Sequence, residues 1–253
     1  MTDRNVVELG AVAPRGCDQY GFVATPTADK VIAVCDFARR RPDLGIGLIV
    51  GDVGVGKTMA IDAYARGNAG VRVATMTPAS TTVKYAYQVI ADALDVRVER
   101  QIRYQEDCLF LALDRPGPSR TMLIIDEAQH LSDVALDAIR GLWDAAGFPM
   151  VWCGNATLRS RFNRTQDAGF AQVLSRVSIR QDLKATKADL SAWCDGVGVV
   201  DPQVRERIER YTAGSRWALR AANRLFELAR EQRKDGAVTP AAVDAAARLA
   251  GLA

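Results

Sequence analysis

Gly51-Asp-Val-Gly-Val-Gly-Lys-Thr58 is the stretch whose reading decides the fold. It fits the phosphate-loop pattern G-x-x-x-x-G-K-[ST] at every fixed position. Gly51, Gly54 and Gly56 let backbone N–H groups turn inward and cradle phosphate oxygens. Asp52, Val53 and Val55 complete the loop, and Met59 follows it into the next helix. Lys57 is expected to reach the β- and γ-phosphates of ATP, and Thr58 to hold Mg2+ by its hydroxyl. The context agrees: Ile46 to Val50 is a short apolar strand, and a helix runs from Lys57 to Arg66 with its positive end at the anion.

Working outward, four further apolar runs read as strands: Val71 to Thr75, Met122 to Ile125, Met150 to Cys153 and Val177 to Leu183. Helical patterns alternate with them over Thr27 to Arg41, Thr81 to Leu94, Gln105 to Leu113 and Ser132 to Ala145, the last with Ser132 as cap. Alternation predicts an α/β fold, a five-stranded parallel sheet flanked by helices. Beyond Leu183 only helical pattern remains: Lys187–Cys194, Pro202–Thr212, Arg216–Arg233 and Pro240–Leu252. The division expected is an extension over 1–20, a nucleotide-binding core over 21–184 and a small all-helical lid over 185–253.

The second motif is Met122-Leu-Ile-Ile-Asp-Glu-Ala-Gln-His130. An apolar strand delivers two adjacent carboxylates at its C-terminal end, where open α/β sheets bind ligands. Asp126 is expected to orient Mg2+ and its waters. Glu127 is expected to polarise the attacking water, a role that needs a carboxylate near the γ-phosphate. His130 reads as a packing residue, because ATP hydrolysis needs no histidine. At the tip of the next strand, Asn155 is either a γ-phosphate contact or a simple helix cap.

Composition excludes several alternatives. The chain has 253 residues, 49% hydrophobic and 25% charged, with a net charge of +3. So mild a positive balance neither demands nor excludes nucleic acid. Cys17, Cys35, Cys108, Cys153 and Cys194 show no close spacing and His130 is the only histidine, so a zinc site is not expected. An odd count without a framework suits a reducing cytosol. Neither a signal-peptide core nor an apolar run of roughly 18 residues is present, so a cytoplasmic protein is expected.

Taken together, the phosphate loop, the Asp126-Glu-Ala-Gln129 segment, the Gly154-Asn155 tip and the helical C-terminal region resemble the AAA+ ATPases. Within them the chain looks like the DNA-transposition ATPases, the B proteins of Mu-like phages and their TniB and IstB relatives. Phe22-Val-Ala-Thr-Pro26 resembles the segment that lies beside the adenine in that group, which marks Val23 as a nucleotide contact. The resemblance makes Asn155 the sensor of γ-phosphate. It makes Arg176, in Leu174-Ser-Arg-Val177, an arginine that reaches the nucleotide of a neighbouring subunit, with Arg161 and Arg164 as rivals. Gly214-Ser-Arg-Trp-Ala-Leu219 resembles the lid motif whose arginine contacts nucleotide. The register is shifted, so either Arg216 serves or the contact is missing. About forty residues precede the first strand, so the helix-turn-helix domain found ahead of the core in the phage proteins is not expected.

The resemblance also implies double-stranded DNA as a partner. Thr82 and Lys84 follow the second strand, and Arg97, Arg100 and Arg103 cluster in an expected loop between helices. Such side chains suit phosphate contacts without sequence reading. With Glu99, Glu106 and Asp107 nearby they equally suit a solvated face. The implied function is an ATP-dependent, non-sequence-specific DNA-binding ATPase that forms a homo-oligomer, ring or helical filament, on target DNA and assists a cognate transposase. The alternatives are a secretion-type AAA+ switch acting on protein partners, a clamp or helicase loader, and a non-hydrolysing ATP scaffold; intact Lys57, Asp126 and Glu127 speak against the last.

Overall fold

The structure is a computed structural model, and it describes residues 21–98, 101–114, 120–163, 171–213, 218–232 and 238–252. The chain opens with helix α1 (Pro26–Arg40), strand β1 (Ile46–Gly51) and helix α2 (Lys57–Gly67). Strand β2 (Val71–Thr75) leads through a short turn to α3 (Val83–Leu94) and α4 (Ile102–Leu113). Next come β3 (Met122–Asp126), α5 (Asp133–Ala146), β4 (Met150–Gly154), α6 (Ala156–Phe162), α7 (Ala171–Ser175) and β5 (Val177–Leu183). Four helices complete the chain: α8 (Lys187–Gly196), α9 (Pro202–Thr212), α10 (Ala218–Glu231) and α11 (Pro240–Ala250).

All five strands form one parallel sheet in the order β2-β3-β4-β1-β5. The three inner strands are buried along their whole length, and the edge strands β2 and β5 are not. That is why the inner strands read as unbroken apolar runs. Alternate residues feed opposite faces. Leu48, Val50, Leu123, Ile125 and Trp152 pack with α3, α4 and α5, while Ile49, Ile124, Val151 and Cys153 pack with α1 and α2. A third cluster, with Trp193, Ile208, Leu225 and Val243, holds the C-terminal helices together.

Helix starts follow local chemistry. Thr25-Pro26, Asp201-Pro202 and Thr239-Pro240 each place a capping oxygen before a proline at the first helical position. Ser132 caps α5 as expected, accepting from the Ala135 N–H at 3.1 Å. Most boundaries fall within two residues of expectation, but α4 begins at Ile102, not Gln105, so Arg103 lies in the first turn of a helix and not in a loop.

The lid is joined to the core through Asp189, which is wholly inaccessible. Its carboxylate accepts from the Thr27 N–H at 2.7 Å and the Thr27 hydroxyl at 2.9 Å. It also accepts from the Thr186 N–H at 2.8 Å and the Thr186 hydroxyl at 2.6 Å. One acid thus satisfies first-turn donors at the N-terminal ends of both α1 and α8. Asp189→Ala strands these donors, and we expect a loss of about 3 kcal/mol in urea unfolding. Hydrogen exchange should show α8 losing protection before β1 and β3.

Candidate nucleotide site

Parallel pairing puts the C-terminal ends of β1, β4 and β3 side by side on one edge of the sheet. β1 ends at Gly51 and runs into the loop, β3 ends at Asp126, and β4 ends just before Asn155. Gly54 and Gly56 have φ of 83° and 96°, the left-handed region that turns the loop's N–H groups inward without a Cβ penalty. Val55 is buried in the core below, leaving its backbone to the loop's concave side. Val53 and Met59 are exposed.

Lys57 is 8% exposed, and its ammonium donates to the carbonyls of Gly51 and Asp52, both at 2.9 Å. Thr58 donates its hydroxyl to Asp126 Oδ2 at 2.7 Å. Helix α2 starts at Gly56 with no side-chain cap, so the N–H groups of its first turn are left for an anion. An inward loop, an uncapped helix start and a buried ammonium fit a triphosphate. Neighbouring hydroxyl and carboxylate oxygens on Thr58 and Asp126 fit Mg2+, a hard cation that keeps several waters.

Glu127 sits at φ 55° and ψ 35°, an unusual conformation for a residue with a side chain. Its N–H donates to Asp126 Oδ1 at 2.8 Å, which turns the chain back over the strand end. The Gln129 amide then donates to the Glu127 carboxylate. Asn155 caps α6, its Oδ1 accepting from the Thr157 N–H at 2.8 Å. The cap reading of Asn155 is therefore realised beside the phosphate loop.

Two neighbours of Asp126 respond to it. The Cys153 thiol is pushed well above its ordinary value, by burial first and then by the Asp126 charge. The Asp62 carboxyl on α2 is raised by burial and by Asp126, and Arg66 offsets part of this.

Val23 is buried within the lid cluster together with Trp193 and Leu219. Leu219 in turn lies over the loop, 3.7 Å from where a Cβ on Gly56 would stand. The leading segment and lid thus meet above the phosphate loop. Arg216 lies outside the described residues, as do Arg164 and Arg100.

Arg176 lies elsewhere. Its carbonyl accepts from the Ile46 N–H, at the start of β1. Five strand rises, roughly 17 Å, separate that point from Gly51. Its guanidinium pairs with Asp144 through Nε at 2.7 Å and Nη2 at 3.3 Å, and 42% of the side chain remains exposed. Arg161 is 13% exposed and committed within the chain to Asp133 and to the Leu131 carbonyl. Thr82 caps α3 and Lys84 is exposed in its first turn, whereas Arg97 lies beyond its last. The length of α3 thus separates Thr82 and Lys84 from the end of the helix that Arg97 follows by roughly 15 Å.

Gln129, Asp189 and Asp144 were not singled out by sequence reading. Gln129 stands in a recognised motif, but its partner Asn155 is 26 residues away, and no spacing rule links them.

Residues 40–162 match the family model described as an AAA domain. Together with the sheet order and the loop, this gives the chain the likeness of the AAA+ class of ATPases. Solved structures agree on the fold. The Aeropyrum pernix ORC1 protein, solved in complex with DNA, superposes with a TM-score of 0.65 at 19% identity, over 90% of this chain and 66% of that one. The Aeropyrum pernix ORC2 protein gives 0.64 at 16% identity, over 98% and 71%.

Within that class the chain resembles the transposition B proteins of Mu-like phages. It is 30% identical over 213 residues to the "ATP-dependent target DNA activator B" of Escherichia phage Mu, covering 82% of this chain. It is 28% identical over 182 residues to the "Mu-like prophage FluMu DNA transposition protein B" of Haemophilus influenzae, covering 70%. The chain spans 66% and 62% of the length of these two relatives.

The raised Asp62 carboxyl has a measurable consequence. The folded protein holds this proton more tightly than the unfolded chain, so stability falls as pH rises from the ordinary carboxyl value to the raised one, and the full cost is present above it. We expect Asp62→Asn to raise the melting temperature at pH 7 without Mg2+. The gain should vanish as pH falls through the carboxylate range.

Proposed function

We propose that this chain binds ATP with Mg2+ at the β1–β3–β4 edge and hydrolyses it. We propose further that it forms a homo-oligomer on double-stranded DNA and assists a cognate transposase there. The observation that carries the reading is Lys57, Thr58, Asp126 and Glu127 on one sheet edge in a chain 30% identical to a protein named ATP-dependent target DNA activator.

The residues divide the work. The loop's N–H groups and Lys57 hold the phosphates. Mg2+, held through Thr58 and Asp126, supplies positive charge against the developing charge on the phosphate oxygens. Glu127 orients a water at the γ-phosphate and takes its proton. The Asn155 carboxamide, anchored as a cap, stands at the tip of the adjacent strand. Val23 and Leu219 close the nucleotide between the leading segment and the lid, with Arg216 as the lid's cationic contact.

Arg176 is at the far end of β1, so it cannot serve its own chain's nucleotide. Supplied to a neighbour it stabilises charge in the transition state, and hydrolysis then depends on assembly. A head-to-tail contact of this kind closes as a ring or continues as a helix. DNA is held by its phosphates through Thr82 and Lys84 at the start of α3, and through Arg97, Arg100 and Arg103 further along the chain.

Filter retention of duplex DNA across a salt titration tests the DNA half. Retention should require ATP or a non-hydrolysable analogue, and its logarithm should fall linearly with the logarithm of salt. Retention independent of nucleotide, or none at all, rejects this half. For the assembly half, Arg176→Ala should keep nucleotide affinity and lose on the order of 10³-fold in DNA-stimulated hydrolysis. An unchanged rate removes Arg176 from the reaction.

A further inference from the structure

We infer that Gln129 is a positioning residue for Glu127 and ties the catalytic carboxylate to the tip of β4; this rests on the reading of Glu127 as the base. The Gln129 side chain has two ends with different partners. Its Nε2 donates to Glu127 Oε2, and its Oε1 accepts from the Asn155 N–H at 3.2 Å. One planar amide therefore spans the gap between the ends of β3 and β4, where the β-ladder has stopped.

Three further features keep the amide in that place. Residues Ala128–His130 form a single helical turn, closed by the His130 N–H donating to the Glu127 carbonyl at 3.0 Å. The left-handed backbone of Glu127, braced by Asp126, bends the chain so that side chains 127 and 129 meet. Residue 154 is glycine, and a Cβ there would stand 2.7 Å from Gln129 Oε1 and 2.7 Å from Leu158 Cδ2. Any larger residue at 154 displaces the amide or the core of α6.

The chemistry follows from what each amide end can do. A carboxylate only accepts, so it needs the NH2 end. The backbone N–H of Asn155 only donates, so it needs the C=O end. Glutamate in place of Gln129 keeps length and shape but offers oxygen to both partners, leaving Glu127 facing a second acceptor. With one oxygen of Glu127 held, the other is left to aim at water. Because the far end of the amide is fixed to Asn155, a shift of the β4 tip moves the carboxylate with it.

The test uses the full chain with ATP, Mg2+ and duplex DNA. We expect Gln129→Glu and Gln129→Ala each to lower kcat on the order of tenfold, with nucleotide affinity within about twofold of wild type. In a Glu127→Gln background, Gln129→Ala should add no further loss in single-turnover hydrolysis, because it acts through Glu127. Wild-type kcat in Gln129→Glu overturns the inference, as does a parallel loss of nucleotide affinity or an equal further loss in the Glu127→Gln background. Wild-type hydrolysis by Glu127→Gln itself rejects the base assignment, and this inference with it. An inactive Glu127→Gln alongside a fully active Gln129→Glu rejects the inference alone.

Discussion

A buried ammonium needs oxygen partners, and the phosphate loop is bent around that requirement. Lys57 takes the carbonyls of Gly51 and Asp52, which draws the loop back over the start of α2. The loop's N–H groups are then left facing away from those carbonyls, where an anion can use them. Thr58, next in sequence, is carried to Asp126 on a strand two places away in the sheet. The rest of the site is arranged about that contact. Asp126 in turn braces Glu127, and Glu127 meets Gln129.

The parallel sheet makes this possible because it ends all its strands in the same direction at one edge. Residues far apart in the chain become neighbours there without any loop having to span the molecule. The same geometry separates Arg176 from the loop. It sits where β5 begins, at the opposite edge. Its pairing with Asp144 on α5 holds the guanidinium at the surface.

The lid is coupled to the site by two different physical means. Apolar packing brings Val23, Trp193 and Leu219 together above the loop. Asp189 adds direction, since its carboxylate accepts from Thr27 in the first turn of α1 and from Thr186, the cap of α8. Packing alone tolerates sliding, whereas hydrogen bonds to a buried acid fix one arrangement. The leading segment and the C-terminal helices are thereby held in one arrangement beside the phosphate loop.

Much of this was legible in the sequence. The phosphate loop is a contiguous backbone motif, and its glycines and lysine declare the turn locally. Buried strands announce themselves as apolar runs, and Thr-Pro or Asp-Pro pairs mark helix starts, because burial and capping act on neighbouring residues. The start of α4 at Ile102 was missed because no capping side chain marks it. What only the tertiary structure decided are contacts across strand ends and helix starts: Gln129 with Asn155, Asp189 with Thr27, Arg176 with Asp144. These are polar pairs of high sequence separation. Hydrogen bonds depend on direction and distance in space, and no periodicity along the chain encodes either.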